Sequence, residues 1–121
     1  MSNQFGLKRE VIEKIQNVFS GFAEIESAIL YGSRAKGNYK NGSDIDLTLK
    51  IKSKDSFTTL LEVSNALDDL DTPYTFDISL LSHIKNDDLL EHIKRVGVVF
   101  YKAEEFAFKQ KEKKSKYSDY S

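Results

Sequence analysis

Two aspartates two positions apart, Asp44 and Asp46, have the clearest potential for chemistry in this chain. They open an apolar run of strand type, and in a strand such residues share one face, about 6.6–6.8 Å apart along the chain. Two carboxylates that close repel each other unless a proton or a cation lies between them. Carboxylates and phosphate oxygens together are the usual ligands of magnesium, so the pair predicts a divalent-cation site.

A glycine–serine turn ahead of this pair could hold a phosphate. Gly32 and Ser33 follow the apolar run 29–31, and a glycine lets a ligand approach the backbone closely. Successive backbone N–H groups in such a turn form an anion-binding concavity. Ser33 offers a hydroxyl, and Arg34 and Lys36 add positive charge, so all four are candidate nucleotide-binding residues. A phosphate cradle beside a carboxylate pair predicts metal-assisted phosphoryl or nucleotidyl transfer.

Three other motifs for phosphate or metal binding do not fit this stretch. A P-loop needs Lys and Ser or Thr after its second glycine, but Asn38 and Tyr39 follow Gly37. The dinucleotide-binding pattern needs a second glycine where Arg34 stands. A calcium loop beginning at the first aspartate would need glycine at its sixth position, which is Leu49.

A third acid is expected to join the pair from a later strand. Hydrophobic patterning predicts a strand over Asp44–Lys52, a helix over Asp55–Leu70 with Ser53 as its cap, and a strand over Tyr74–Leu81. Such a strand–helix–strand unit should form a parallel crossover. If its two strands are neighbours, Asp77 lies on the same polar face as the other two aspartates. The expected buried stripe of the helix is Phe57, Leu60, Leu61, Ser64 and Leu67.

The remaining pattern predicts a small α+β fold. The other predicted elements are a helix over Leu7–Phe22, a strand over Ala28–Tyr31, a loop over Gly32–Ser43, a helix over Asp87–Val96 capped by Asn86, and a strand over Val98–Tyr101. We expect a two-layer α/β arrangement: a mixed sheet of about four strands, with helices on one face and a polar catalytic face. Residues 1–108 would form the domain, and the Lys/Ser/Tyr-rich residues 109–121 a disordered tail.

Composition narrows the functional classes. The chain has 121 residues, a net charge of −1 and no cysteine. It therefore carries no overall nucleic-acid signature and no thiolate metal site. The N-terminal residues lack the pattern of a signal peptide, and no apolar run reaches membrane-spanning length, so a cytoplasmic protein is expected. His83 and His92 are expected at the surface, without a metal role.

Gly32-Ser33, Asp44-x-Asp46 and Asp77 together resemble the minimal nucleotidyltransferases of the DNA polymerase beta-like superfamily. The resemblance covers about residues 7–101. It implies that Asp44 and Asp46 bind two magnesium ions, that Asp77 completes the site, and that Gly32 and Ser33 hold a nucleoside triphosphate.

The same resemblance implies a partner. Stand-alone members of this family often pair with small helical HEPN-type toxins and act as antitoxins, and they can transfer AMP from ATP to a tyrosine of the toxin. Two alternatives remain: an antitoxin that neutralises its partner by steric cover alone, and transfer to a small molecule such as an aminoglycoside. The latter ranks lower because the chain lacks the extra helical domain of such enzymes. Self-association is also left open.

Overall fold

Short strands and helices alternate along the chain. A computed structural model describes residues 3–118, with side chains described for residues 4–112. The elements are β1 (Asn3–Gln4), β2 (Leu7–Lys8), α1 (Arg9–Ser20), β3 (Ile25–Tyr31), α2 (Gly32–Lys36), β4 (Ile45–Ile51), α3 (Ser56–Asp68), β5 (Phe76–Leu80), α4 (Asp87–Val96), β6 (Val98–Lys102) and α5 (Ala103–Ser118). A 3-10 turn, Leu81–His83, follows β5. The strands of the main sheet begin and end within three residues of the predicted positions.

The main sheet is mixed, as predicted. Its strand order is β5-β4-β3-β6. The pairs β3–β4 and β3–β6 are antiparallel, whereas β4–β5 is parallel. Since α3 connects β4 to β5, the expected parallel crossover is confirmed, and the chain has the α+β fold that the sequence predicted.

The hydrophobic core lies on one face of this sheet. Alternate residues of a strand point to opposite faces, so the apolar half of β4 packs inward while its polar half faces away. Leu30 pairs with Leu47, and Ala28 pairs with Leu49, on the inward face. Helices α1 and α3 cover it with side chains that are completely buried: Ile15, Phe19, Val63 and Leu67.

Helix α3 packs through a different stripe from the predicted one. Phe57 and Leu61 are 59% and 50% exposed, while Thr59 and Val63 face the core. Apolar residues occur around most of this helix, so periodicity alone does not select its inner face. Contact with the sheet selects it, and the predicted stripe is wrong at these two residues.

The start of α3 also differs from the prediction. The carboxylate of Asp55 accepts the backbone N–H of Thr58 at 3.2 Å, which makes Asp55 the cap. Ser53, the predicted cap, accepts the N–H of Asp55 at 3.1 Å and lies two residues before the cap. Both residue types cap helices well, and the residue with the appropriate backbone position takes the role.

Helix α4 has the predicted bounds and the predicted cap, since the Asn86 side chain accepts the N–H of Leu89 at 3.1 Å. Its placement was not predicted. The ring of His92 meets that of Tyr31 edge-on, with centroids 6.2 Å apart. Tyr31 lies on the polar face of the sheet, opposite the core. The helices are therefore not confined to one face.

A hairpin precedes α1 and includes the first two residues of the predicted helix, Leu7 and Lys8. Asn3 pairs with Lys8, and Gln4 with Leu7, across a two-residue turn. Both turn residues have positive φ, 60° at Phe5 and 72° at Gly6, as a type I′ turn requires. Helix α1 thus begins at Arg9 rather than Leu7.

The last helix, α5, extends into the predicted tail. It is assigned as a helix to Ser118, so the expected domain end at residue 108 falls inside it, and the disorder of residues 109–121 stays a prediction. Residues 119–121 lie outside the described residues. Phe106 packs on Tyr101 with centroids 5.6 Å apart, whereas the side chains of residues 107–112 are exposed.

Strand β6 forms one edge of the sheet. The side-chain amide of Gln16 on α1 donates to the backbone carbonyl of Phe100 in this strand at 2.9 Å. Among residues 3–118, no helix is long and apolar enough to cross a membrane.

Candidate active site

Three side chains form a row across the polar face of the sheet. Asp46 on β4 pairs with Tyr31 on β3 and, on its other side, with Asp77 on β5. Directly paired residues point to the same face, so the three lie next to one another. Asp44 lies just before β4, near the same end. The structure thus brings Asp77 to the aspartate pair, as the strand parity predicted.

The carboxylates of Asp44, Asp46 and Asp77 lie close enough for their negative charges to affect one another. Burial raises the pKa of Asp46 to about 6, and the neighbouring carboxylates of Asp77 and Asp44 add to the rise. The guanidinium of Arg34 opposes it. A carboxylate in this setting favours a proton or a cation beside it.

Asp44 is exposed and is held by the segment before β5. The hydroxyl of Thr75 donates to its Oδ1, and the backbone carbonyl of Thr75 accepts the N–H of Ile45 at 2.9 Å. Within the described residues, no three His, Cys, Asp or Glu side chains already surround a metal position. Magnesium commonly takes one or two carboxylates and completes its shell with water and substrate phosphates. Asp46 and Asp77 fit that requirement, and Asp44, which is exposed and held by Thr75 through Oδ1, can add a carboxylate oxygen.

Gly32 touches the central carboxylate directly. Its φ is +74°, and a Cβ at this position would lie 3.1 Å from Cγ of Asp46 and closer still to its Oδ2. Any side chain would therefore strain the backbone and displace the carboxylate. The turn expected to hold phosphate and the acids expected to hold metal meet at one point.

His92 is a site residue that the sequence reasoning missed. Its Nε2 accepts the backbone N–H of Gly32 at 3.1 Å. The side chain is half-buried, not at the surface as expected. It follows the helical spacing of Leu89, Ile93 and Val96, the inner stripe of α4, and this spacing was the available signal.

Tyr31 is the second missed residue. It is buried, and its burial raises the pKa of the phenol, with the charges of Asp77 and Asp46 adding to the effect. A hydrogen bond between the Tyr31 and Ser79 side chains acts in the opposite direction and lowers the pKa. Strand parity could have identified Tyr31, because it stands directly across from Asp46.

The two basic residues of the turn are in contrasting environments. Arg34 is only 3% exposed, and its N–H groups donate to the backbone carbonyls of Ser43 and Phe5. It does not have the solvent-facing charge that the sequence reasoning expected for a phosphate contact. Lys36 is exposed, and Ser33 is half-buried. The carbonyl of Ser33 accepts the N–H of Gly37 at 2.9 Å, which closes α2.

Residues 13–106 match the sequence family described as "Polymerase beta, Nucleotidyltransferase". The chain belongs to this family. The match includes the glycine–serine turn and all three aspartates. A comparison with curated proteins found no significant match.

Solved structures share the fold. One is a candidate nucleotidyltransferase from Sulfolobus solfataricus, with 23% identity and a TM-score of 0.51 over 78% of this chain and 80% of that one. A second belongs to a toxin–antitoxin complex with AMP-PNP, with 18% identity and a TM-score of 0.58 over 89% and 96%. A third comes from a tri-AMPylated Shewanella oneidensis HEPN toxin in complex with MNT antitoxin, with 15% identity and a TM-score of 0.50 over 92% and 96%.

Proposed function

We propose that this chain is a magnesium-dependent nucleotidyltransferase that transfers AMP from ATP to a tyrosine hydroxyl of a HEPN-type partner, and so acts as an antitoxin. The observation that carries the proposal is the contact between Gly32 and Asp46. A glycine turn suited to phosphate packs directly on a carboxylate that is paired in register with Asp77. Phosphate binding and charge stabilisation would then occur at one position, as nucleotidyl transfer requires.

The acidic residues and the turn residues would have different roles. Asp46 and Asp77, with Asp44, would hold magnesium, which neutralises charge on the triphosphate. Gly32 and Ser33 would contact the phosphates, and exposed Lys36 can reach solvent-facing phosphate oxygens. Because the N–H of Gly32 now meets His92, a phosphate oxygen at this N–H would take the place of the imidazole.

In the transfer step, one bond to the α-phosphorus of ATP forms and another breaks. The acceptor hydroxyl oxygen forms a bond to the α-phosphorus of ATP, and the bond from that phosphorus to the β-phosphate's bridging oxygen breaks. Pyrophosphate leaves with the bonding electrons. The hydroxyl proton passes to a carboxylate, for which Asp77 is suited because it is exposed at the end of the row.

The related complexes support the proposed partner and substrate. One structure of the same fold contains AMP-PNP, and another contains an AMPylated HEPN toxin together with its antitoxin. ATP and a HEPN-type protein are therefore the first substrate and partner to test.

The test is incubation of the chain with magnesium and ATP labelled at the α-phosphate, with and without the HEPN-type protein recovered from the source cell. We expect the label on a partner tyrosine. Asp46→Asn keeps the shape of the side chain and removes its charge, so transfer should fall by about 10²–10³-fold. Asp71→Asn, at an exposed aspartate outside the site, is the matched control and should transfer normally.

Other outcomes identify the alternatives. A partner that is bound and neutralised without label would mean that the chain acts by steric cover. Label on an aminoglycoside, but not on protein, would mean a small-molecule acceptor. Full transfer by Asp46→Asn would remove the proposed site.

A further inference from the structure

Arg34 joins three separate segments of the chain. Its Nε and Nη2 donate to the carbonyl of Ser43 at 3.1 and 2.8 Å, and its Nη1 donates to the carbonyl of Phe5 at 2.8 Å. The guanidinium lies over the rings of Tyr39 and Tyr74, 5.5 and 5.0 Å from their centroids. A buried charge needs such partners, so these contacts account for the burial of the side chain.

Two of these segments are next to Asp44, one in sequence and one through a hydrogen bond. Ser43 immediately precedes Asp44. Tyr74 immediately precedes Thr75, whose hydroxyl donates to the Asp44 carboxylate. Arg34 thus holds the backbone on both sides of this carboxylate without touching it.

The third segment is the N-terminal hairpin, which is braced against the loop at two points. The carbonyl of Phe5 accepts from Arg34, and Gly6 packs on the ring of Tyr39. A Cβ at Gly6 would come within 2.8 Å of Tyr39 Cζ and 2.9 Å of its Cδ2. The hairpin and the loop therefore fit each other closely.

We infer that Arg34 is a positioning residue: together with the N-terminal hairpin, it fixes loop 37–44 and the Asp44 carboxylate in the arrangement that binds a magnesium–nucleotide complex. The link to nucleotide binding rests on the proposed function. The claim that Arg34 holds the loop rests on its observed contacts alone. Lysine cannot replace arginine here, because its single ammonium lacks the planar fork that reaches two carbonyls at once.

The experiment compares Arg34→Lys with wild type in the full-length chain. The first readout is amide hydrogen exchange without ligand at Lys40, Ser43 and Ile45, whose N–H groups are hydrogen-bonded at 2.9–3.0 Å. Exchange there should become at least about tenfold faster, while the amides of α1 keep their protection. The second readout is calorimetry with magnesium and ATP, where the dissociation constant should rise about tenfold. Arg95→Lys, at an exposed arginine on α4, is the matched control and should change neither readout.

A second variant acts from the hairpin side and leaves the charge in place. Gly6→Ala should press on Tyr39 and speed exchange at the same three amides. Tyr39→Phe keeps the ring that stacks on Arg34, so it should behave like wild type.

Each alternative role of Arg34 predicts a different combination of loop exchange and ATP affinity. Unchanged loop exchange in Arg34→Lys with weaker ATP binding would identify Arg34 as a phosphate ligand and overturn the inference. Faster exchange throughout the chain, or a loosened loop with undiminished ATP affinity, would also overturn it. If wild type itself binds no magnesium–ATP, the proposed function fails, while the exchange data still decide whether Arg34 holds the loop.

Discussion

At the scale of single residues, the candidate site concentrates negative charge at the expense of stability. The pKa of Asp46 is raised to about 6, above the value of about 3.9 for an unfolded chain. Between these two values the folded state binds more protons than the unfolded state. The free energy of unfolding therefore falls as the pH rises through this window, and the destabilisation is fully present above the folded pKa.

Replacing Asp46 by asparagine should remove this pH dependence. Without metal at about pH 7.5, we expect Asp46→Asn to equal wild type or exceed it in stability by about 0.5–2 kcal/mol. The advantage should shrink as the pH falls below the folded pKa and disappear well below the unfolded value of about 3.9, where the wild-type carboxylate is protonated in both states. Urea unfolding across this range measures the difference, with Asp71→Asn as a control that should parallel wild type. A variant markedly less stable at neutral pH would mean that the acid is structural.

His92 should contribute to stability through the Gly32 turn. His92→Ala removes the acceptor of the Gly32 N–H and the edge contact with Tyr31, so the free energy of unfolding should fall by about 1–2 kcal/mol. His83→Ala, at an exposed histidine, should stay within about 0.5 kcal/mol of wild type. Equal effects of the two substitutions in urea unfolding would contradict the role assigned to His92.

At the scale of elements, local signals located the helices and strands to within a few residues but did not determine which helix face packs on the sheet. Helix α4 has its predicted bounds because Asn86 and the acidic first turn act within a few residues. The inner face of α3 depends on a sheet formed by distant residues. Phe57 is exposed there although it is large and apolar.

The cap of α3 gives a direct test of the corrected boundary. Asp55→Ala removes the acceptor of the Thr58 N–H and should cost about 0.5–2 kcal/mol of stability. Ser53→Ala, at the residue that the sequence suggested, should cost less because Ser53 lies outside the helix. Thermal melts of the two variants decide between them, and the reverse ranking would restore Ser53 as the cap.

The difference between local and long-range signals also explains how much of the candidate site was predictable. The proximity of Asp77 to Asp44 and Asp46 was predicted because strand parity is a local property and the parallel crossover brings the strands together. The environment of Arg34 was not predictable, because its partner Phe5 lies 29 residues away in a hairpin with an atypical turn sequence. Among residues 3–118, such long-range contacts set side-chain burial, which spacing alone does not encode.

At the scale of the whole molecule, the site connects ligand binding to global stability. Its acids come from two strands and the residue before one of them, and its turn joins β3 to α2. A ligand that contacts all of these parts binds only the folded chain. Its binding free energy is then added to the free energy of unfolding.

Magnesium and ATP should therefore raise the melting temperature of wild type. At one hundred times its dissociation constant, such a ligand stabilises the folded state by about 2.7 kcal/mol. Asp46→Asn should gain little, which reverses the order of the two proteins in the absence of ligand. A four-way melt, two proteins with and without magnesium–ATP, tests this. A gain in Asp46→Asn equal to that of wild type would exclude Asp46 from the ligand site.

The contact between Gln16 and Phe100 has a consequence for behaviour at high concentration. Strand β6 is at the edge of the sheet, and free carbonyls on an edge can recruit a strand from another molecule. The amide of Gln16 already occupies the carbonyl of Phe100 and covers part of that edge. We therefore expect resistance to edge-to-edge aggregation to depend in part on Gln16, a residue outside both the acidic row and the Gly32 turn.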